Sequence, residues 1–293
     1  MTIAWVFPGQ GSQAIGMEQD LTTRSAGASR FAEAEDLLGW SVLDRCQGEA
    51  DTLSRTLYTQ PCLYTVETIL VDALREQGFN PHFLAGHSLG EYVALYAAGV
   101  FDFATGLKLV KRRAELMDQA SGGMMAALLG FDAQQLQETI AGVPNVVLAN
   151  DNCPGQVVIS GTPEAVETVL AQVKTKRAVP LKVSGAFHSP FMGEAAKEYQ
   201  LLLDLVHFAP AQIPVLSNVE PEPETNPDIL KARLVSQMTG PVRWQETGVR
   251  LQALGVTEAI EIGPGNVLTG LLKRISSTIA LKNVATLKDI VLG

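Results

Sequence analysis

An α/β fold, a parallel sheet interrupted by a small inserted subdomain, is predicted for this chain of 293 residues. Three observations predict it. Short apolar runs end at turns rich in glycine and proline and hand over to helical patterns, as a parallel sheet requires. After Gly122-Gly123 the order changes to strand, helix, strand, strand, helix, strand, a ferredoxin-like order. The strand–helix alternation then resumes. The large unit is therefore expected in two parts, 1–122 and 186–293, flanking an insert at 123–185.

Each element has its own reason. Ile3–Phe7 is an apolar run stopped by Pro8-Gly9, read as a buried strand. Phe31–Leu38 and Cys62–Glu76 carry helical spacing, with Pro61 near the start of the second, where a missing N–H does no harm. Phe83–Gly86 is a second short strand, followed by helices at Leu89–Ala98 and Phe103–Gln119. In the insert, strands are expected at Met124–Leu129, Asn145–Ala149, Gln156–Ser160 and Ala178–Val183, with helices at Ala133–Ile140 and Pro163–Val173. Asn150 to Gly155 reads as a turn. Beyond it come a helix at Glu194–Val206, a strand at Ile213–Leu216, helices near 227–238 and 244–253, a strand at Glu258–Ile262, a helix at Val267–Arg274 and a last strand at Val284–Leu287. A ligand site is expected in the crevice between the two units.

Composition narrows the function. The chain is 46% hydrophobic and 18% charged, ordinary for a globular protein, with a net charge of −9. That balance argues against nucleic acid and anionic membrane as partners, since both call for excess Lys and Arg. No window approaches the ~18–20 apolar residues of a membrane span, and the N-terminus lacks a secretory pattern. Cys46, Cys62 and Cys153 are odd in number, far apart and without zinc spacing, which fits free thiols in a reducing cytoplasm and no metal.

Gly86-His87-Ser88-Leu89-Gly90 is a G-x-S-x-G between a strand and a helix. Such a turn projects the serine above the sheet edge, over free N–H groups at the next helix start. Ser88 is thus a candidate nucleophile and needs a base. Of the four histidines, His87 adjoins Ser88, and His82 and His207 read as surface or packing residues. His188 sits where the insert returns to the large unit, and elimination makes it the base. His87 and Glu91 share helical spacing, but two ligands make a poor metal site. Gly9-Gln10-Gly11-Ser12-Gln13-Ala14 fits a dinucleotide fingerprint only weakly. No strand ending in an acid follows at the required distance, so no cofactor is expected. That loop instead suits a second oxyanion N–H, from Gln10 alongside Leu89. Lys111-Arg112-Arg113 cannot all face one way on a helix at ~100° per residue, and periodicity does not choose which borders the packed side.

Taken together, Phe7-Pro8-Gly9-Gln10-Gly11-Ser12-Gln13, Gly86-His87-Ser88-Leu89-Gly90-Glu91, Leu109-Val110-Lys111-Arg112-Arg113, Ala186-Phe187-His188-Ser189 and Glu261-Ile262-Gly263-Pro264-Gly265 resemble the malonyl-CoA:acyl carrier protein transacylases. The resemblance runs essentially end to end and is strongest to the free-standing enzymes of bacterial type II fatty-acid synthesis, in a cyanobacterial form. It implies an α/β-hydrolase-like large domain with a ferredoxin-like insert. It implies Ser88 as nucleophile, His188 as base, Gln10 and Leu89 as oxyanion donors, and Arg113 as the anchor of the malonyl carboxylate. Gln237 would orient the histidine through its carbonyl, and Phe187 would exclude an α-methyl group. Malonyl-CoA and holo acyl carrier protein would be the substrates, and the enzyme a cytoplasmic monomer. Ala114 and Asp118 depart from the family pattern, where glycine and glutamine are usual.

Rivals are a serine esterase or thioesterase, a non-catalytic carrier-binding module and a dinucleotide-binding protein. An esterase of the α/β-hydrolase order keeps its histidine near the C-terminus, unlike His188, and has no evident use for Arg113. Because acyl carrier protein is acidic, docking would need a local basic surface. Lys174, Lys176, Arg177 and Lys182 on the insert, with Lys273 and Arg274, are the expected contributors.

Overall fold

Strands that are covered on both faces read as unbroken apolar runs, and the central strands here do so. The computed structural model describes residues 1–290. The last three residues of the expected 186–293 segment lie outside the described residues. The chain opens with β1 (Ile3–Phe7), then α1 (Ser25–Leu38), the short α2 (Val42–Gln47) and α3 (Ala50–Leu53), and the 21-residue α4 (Thr56–Glu76). β2 (Phe83–Gly86), α5 (Gly90–Ala97) and α6 (Phe103–Gln119) follow. The intervening segment holds β3 (Met124–Phe131), α7 (Ala133–Gly142), β4 (Val146–Cys153), β5 (Gln156–Gly161), α8 (Pro163–Gln172) and β6 (Thr175–Pro180). Then come α9 (Gly193–Leu205), β7 (Val215–Leu216), α10 (Pro227–Gln237), α11 (Trp244–Ala253), β8 (Glu258–Ile262), α12 (Val267–Ile275), β9 (Ala280–Val284) and α13 (Leu287–Ile290).

Two sheets result. The larger has the order β7-β2-β1-β8-β9 with every pairing parallel. The smaller, β4-β5-β3-β6, is antiparallel throughout. The α/β expectation therefore holds. The main core packs β1 and β2 against α4, α5 and α6 around Trp5, Phe7, Tyr64 and Tyr92. A second core joins β8 to α11 and α12, and a third lies under α7 and α8 on the small sheet. The small sheet is tied to the large unit by main-chain bonds, Asp151 N–H to Val242 O at 2.9 Å and Val242 N–H to Ala149 O at 2.8 Å. Arg274 donates to Pro154 O and Gln156 Oε1 across the same junction. The cleft so formed lies beside the C-terminal ends of β1 and β2.

Several boundaries differ from expectation. α4 begins at Thr56, so Pro61 lies inside the helix, not near its start, and removes the bond to the carbonyl four residues back. The helix nevertheless continues through this loss, with nearly every face of it buried. Asn150 to Cys153 continue β4 with register shifts, leaving only Pro154-Gly155 as the turn. β6 runs Thr175–Pro180, earlier than expected, and the last strand is Ala280–Val284, with Leu287–Ile290 helical.

Candidate active site

The chemistry gathers where β2 turns into α5. Residue 86 must be glycine, because a Cβ there would lie 1.9 Å from the Gly90 carbonyl carbon. Gly9 is equally constrained, since its Cβ would stand 2.4 Å from His87 O, and this close approach sets Gln10 beside the turn. Ser88 is held at φ 53° and His188 at φ 54°, both in the left-handed region. Such conformations cost about 1–3 kcal/mol each and persist only when their surroundings impose them. Asn218 imposes the first. Its Oδ1 accepts from Ser88 N–H at 2.7 Å and its Nδ2 donates to Gly86 O at 2.5 Å.

The two residues meet across the cleft. Ser88 Oγ lies 2.8 Å from His188 Nε2. His188 Nδ1 faces two carbonyl oxygens, Gln237 O at 3.0 Å and Gly240 O at 3.3 Å. Carbonyls only accept, so Nδ1 carries the proton and Nε2 is left as the acceptor. Burial, followed by the nearby Arg113 charge, pushes the His188 pKa down to about 3. The imidazole is thus neutral and able to take the hydroxyl proton during attack. No acidic third member is present in this pair; a main-chain carbonyl stands in its place.

Arg113 settles what periodicity left open. It is 1% exposed, whereas Arg112 turns outward to Glu115 and Glu198. Lys111 Nζ donates to Leu37 O and Leu38 O at the end of α1. The Arg113 guanidinium donates to Gln60 Oε1 at 2.6 Å, to Gln237 Oε1 at 2.9 Å and to Ser88 Oγ at 3.1 Å. All three acceptors are neutral, so the buried cation faces the serine with no carboxylate bonded to it, and a substrate carboxylate would supply one.

The cleft holds about 180 Å³ and is lined by Gln10, Ser88, Leu89, Arg113, Phe187 and His188, with Met117, Met125 and Val158 as apolar wall. Among the described residues, the main-chain N–H groups of Gln10 and Leu89 have no hydrogen-bond partner. Such free N–H groups can receive an oxyanion. Phe187 is buried directly beside the base. Gln60, Asn150 and Asn152 also line the cleft. Asn152 Oδ1 is 2.9 Å from His87 Nε2, and the His87 ring packs on Trp244. His87 is therefore half-buried and partnered, and desolvation lowers its pKa. His82 accepts from Ile3 N–H at the surface, and His207 is exposed away from the cleft. Asp118 pairs with Arg55 at 2.8 Å.

Two further residues of the site carry no motif of their own in the sequence. Asn218 follows the end of β7, and strand ends on this edge of a parallel sheet are the positional signal that points to it. The other is Glu91, whose spacing from His87 suggests no more than a poor metal pair. It is fully buried and accepts from Gln237 Nε2 and Asn218 N–H. No metal-binding cluster occurs among the described residues, and no helix there is long and apolar enough to cross a membrane. The Gly9–Gly11 loop leads into turns, not directly into a helix, so the dinucleotide geometry is missing.

Comparison with known proteins identifies relatives over nearly the whole chain. The acyl transferase domain family matches residues 4–288. The malonyl CoA-acyl carrier protein transacylase of Synechocystis sp. is 58% identical over 290 residues, covering 99% of each chain. The protein of the same name from Bacillus subtilis is 42% identical over 301 residues, covering 98% of this chain and 95% of that one. The crystal structure of the Synechocystis malonyl-CoA:ACP transacylase superposes with a TM-score of 0.98 at 57% identity, covering 99% of both chains. From β1 to α13, the chain belongs to the acyl transferase family.

Proposed function

We propose that the protein transfers a malonyl group from malonyl-CoA to the phosphopantetheine thiol of acyl carrier protein, supplying fatty-acid synthesis. The observation that carries this reading is the buried Arg113 guanidinium, with neutral partners only, 3.1 Å from Ser88 Oγ. A planar guanidinium grips a carboxylate with two parallel bonds, which places the thioester carbon of a malonyl group beside the serine. The relatives that bear the transacylase name over their full length support it.

Ser88 Oγ attacks the thioester carbonyl while His188 Nε2 takes its proton. Negative charge gathers on the carbonyl oxygen and is received by the N–H groups of Gln10 and Leu89. The intermediate collapses, the C–S bond breaks, and His188 returns the proton to the CoA thiolate. A malonyl-serine ester remains. The carrier thiol then attacks this ester by the same route, giving ping-pong kinetics. Gln237 O keeps the imidazole in the required tautomer throughout. Phe187 fills the space next to the base that an α-methyl group would need.

The large sheet is read as α/β-hydrolase-like and the segment 123–185 as a ferredoxin-like insert, supported by the strand order β4-β5-β3-β6. The segments 1–122 and 186–293, the latter described as far as residue 290, are read as one unit around it. The protein is read as a monomer, in which Ser88, His188 and Arg113 already meet within one chain. The three free, buried cysteines fit a reducing cytoplasm. A transfer assay tests the reading, with malonyl-, methylmalonyl- and acetyl-CoA offered alongside holo acyl carrier protein. Malonyl transfer to the carrier should dominate. Release of free malonate at the same rate with and without carrier would point to a thioesterase.

A further inference from the structure

Glu91 stands on α5, one turn past the nucleophile, fully buried. Only one of its oxygens is engaged. Oε2 accepts from Gln237 Nε2 at 2.8 Å and from Asn218 N–H at 3.0 Å, while Oε1 has no partner. The two donors lead to different parts of the site. Asn218 braces the strained Ser88 turn. Gln237 presents its Oε1 to Arg113 at 2.9 Å and its Nε2 to Ser88 O at 2.9 Å as well as to Glu91.

An amide has two ends, and only one end can serve a guanidinium. Arg113 donates and cannot accept, so Gln237 must turn its oxygen toward it. Two acceptors on the other side, Glu91 Oε2 and Ser88 O, hold the NH₂ end away. We propose that Glu91 is a positioning residue that fixes which way the Gln237 amide points, and thereby holds Arg113 ready for the substrate carboxylate. Glu91 acts as a hydrogen-bond acceptor here, not as a counter-ion. The proposal rests on the reading of Arg113 as the malonyl anchor.

Loss of that acceptor leaves Ser88 O alone to hold the NH₂ end, so the amide turns over more readily and sets donor against donor at Arg113. Gln60 then remains as the one side-chain carbonyl orienting the guanidinium. The base is untouched by such a turn, because His188 is oriented by the main-chain carbonyl of Gln237, which belongs to α10. Malonyl loading should therefore suffer while acetyl loading, which has no use for Arg113, suffers less.

The test compares Glu91→Met, Glu91→Asp and Glu91→Gln with the wild type. kcat/KM for loading is measured with malonyl-CoA and acetyl-CoA, together with the pH profile of acetyl loading. Glu91→Met should lower the malonyl-to-acetyl ratio about 10- to 100-fold, the worth of one hydrogen bond to a charged group. The acetyl pH profile should not move. Glu91→Asp keeps the charge but withdraws the oxygen, and should lower the ratio likewise, which covers the case of a Met variant that fails to fold. Glu91→Gln can keep its carbonyl in the Oε2 position and should rescue the ratio to within about threefold. An unchanged ratio in the folded Met or Asp variant overturns the proposal. So does a Gln variant as poor as Met, which would make charge the active property. A wild type with no preference for malonyl would instead overturn the reading of Arg113 itself.

Discussion

Replacing Arg113 with methionine keeps most of the apolar stem of the side chain and removes its charged fork. In the unloaded protein the guanidinium is 1% exposed and bonded to Gln60, Gln237 and Ser88, all through neutral oxygens. A malonyl carboxylate entering the cleft becomes the one charged group bonded directly to it, since Glu91 reaches it only through Gln237. Removing one member of such a buried pair costs about 3–5 kcal/mol, which at 1.36 kcal/mol per decade is about 150- to 5,000-fold in kcat/KM. Acetyl-CoA brings no carboxylate, so it loses nothing at Arg113 and escapes a cleft that holds an unpaired charge. Arg113 also touches Ser88 Oγ, and any change in serine reactivity falls on both substrates alike. The ratio of the two is therefore the informative quantity. Loading of Ser88 from each thioester, followed over time by intact mass, should show the malonyl-to-acetyl ratio collapsing by at least 100-fold or so. A ratio equal to that of the wild type would refute the reasoning, whatever happened to the absolute rates.

The remaining predictions concern the base, the pocket wall and the docking surface. His188 works in its neutral form, which exists above its pKa; with that value pushed down to about 3, malonyl loading should hold its rate from neutral pH to about pH 5. An acid limb near the ordinary histidine value in the kcat/KM profile would contradict the burial argument. Because the Arg113 charge contributes to the depression, Arg113→Met should move the limb upward. Phe187→Ser opens space beside the base and should admit methylmalonyl-CoA, seen as a methylmalonyl-serine adduct; exclusion as strict as in the wild type would show that another wall sets the limit. Lys174, Lys176 and Arg177 are exposed on or beside β6. Reversing their charge should raise the KM for acyl carrier protein and spare loading from malonyl-CoA, and equal effects on both half-reactions would remove this surface from consideration.

What could be read from residues alone followed from burial pattern. Ile3–Phe7, Phe83–Gly86 and Glu258–Ile262 are strands with almost every residue covered, so hydrophobicity marks their ends sharply. β6 and β9 are edge strands with exposed Lys176, Arg177 and Lys282, and apolar runs mislocate such strands by several residues. α2 and α3 span 6 and 4 residues, too short for helical periodicity to register. The Asn150-Asp151-Asn152 stretch carries turn chemistry yet lies in a strand. It carries register shifts, and Asn150 and Asn152 line the cleft; local rules break most readily where a site is built. Ser88 and His188 were legible because one motif and four histidines left few choices. Asn218 and the role of Glu91 were not, since both act through a network that forms only when β7, α5 and α10 converge.

The central claim is covalent and can be weighed. Incubated with malonyl-CoA in the absence of carrier protein, the intact chain should gain one malonyl group, located on Ser88 by peptide mapping. The gain should disappear in Ser88→Ala and should discharge onto the carrier thiol when holo acyl carrier protein is added. No adduct on the wild type, or an adduct that persists in Ser88→Ala, would contradict the account.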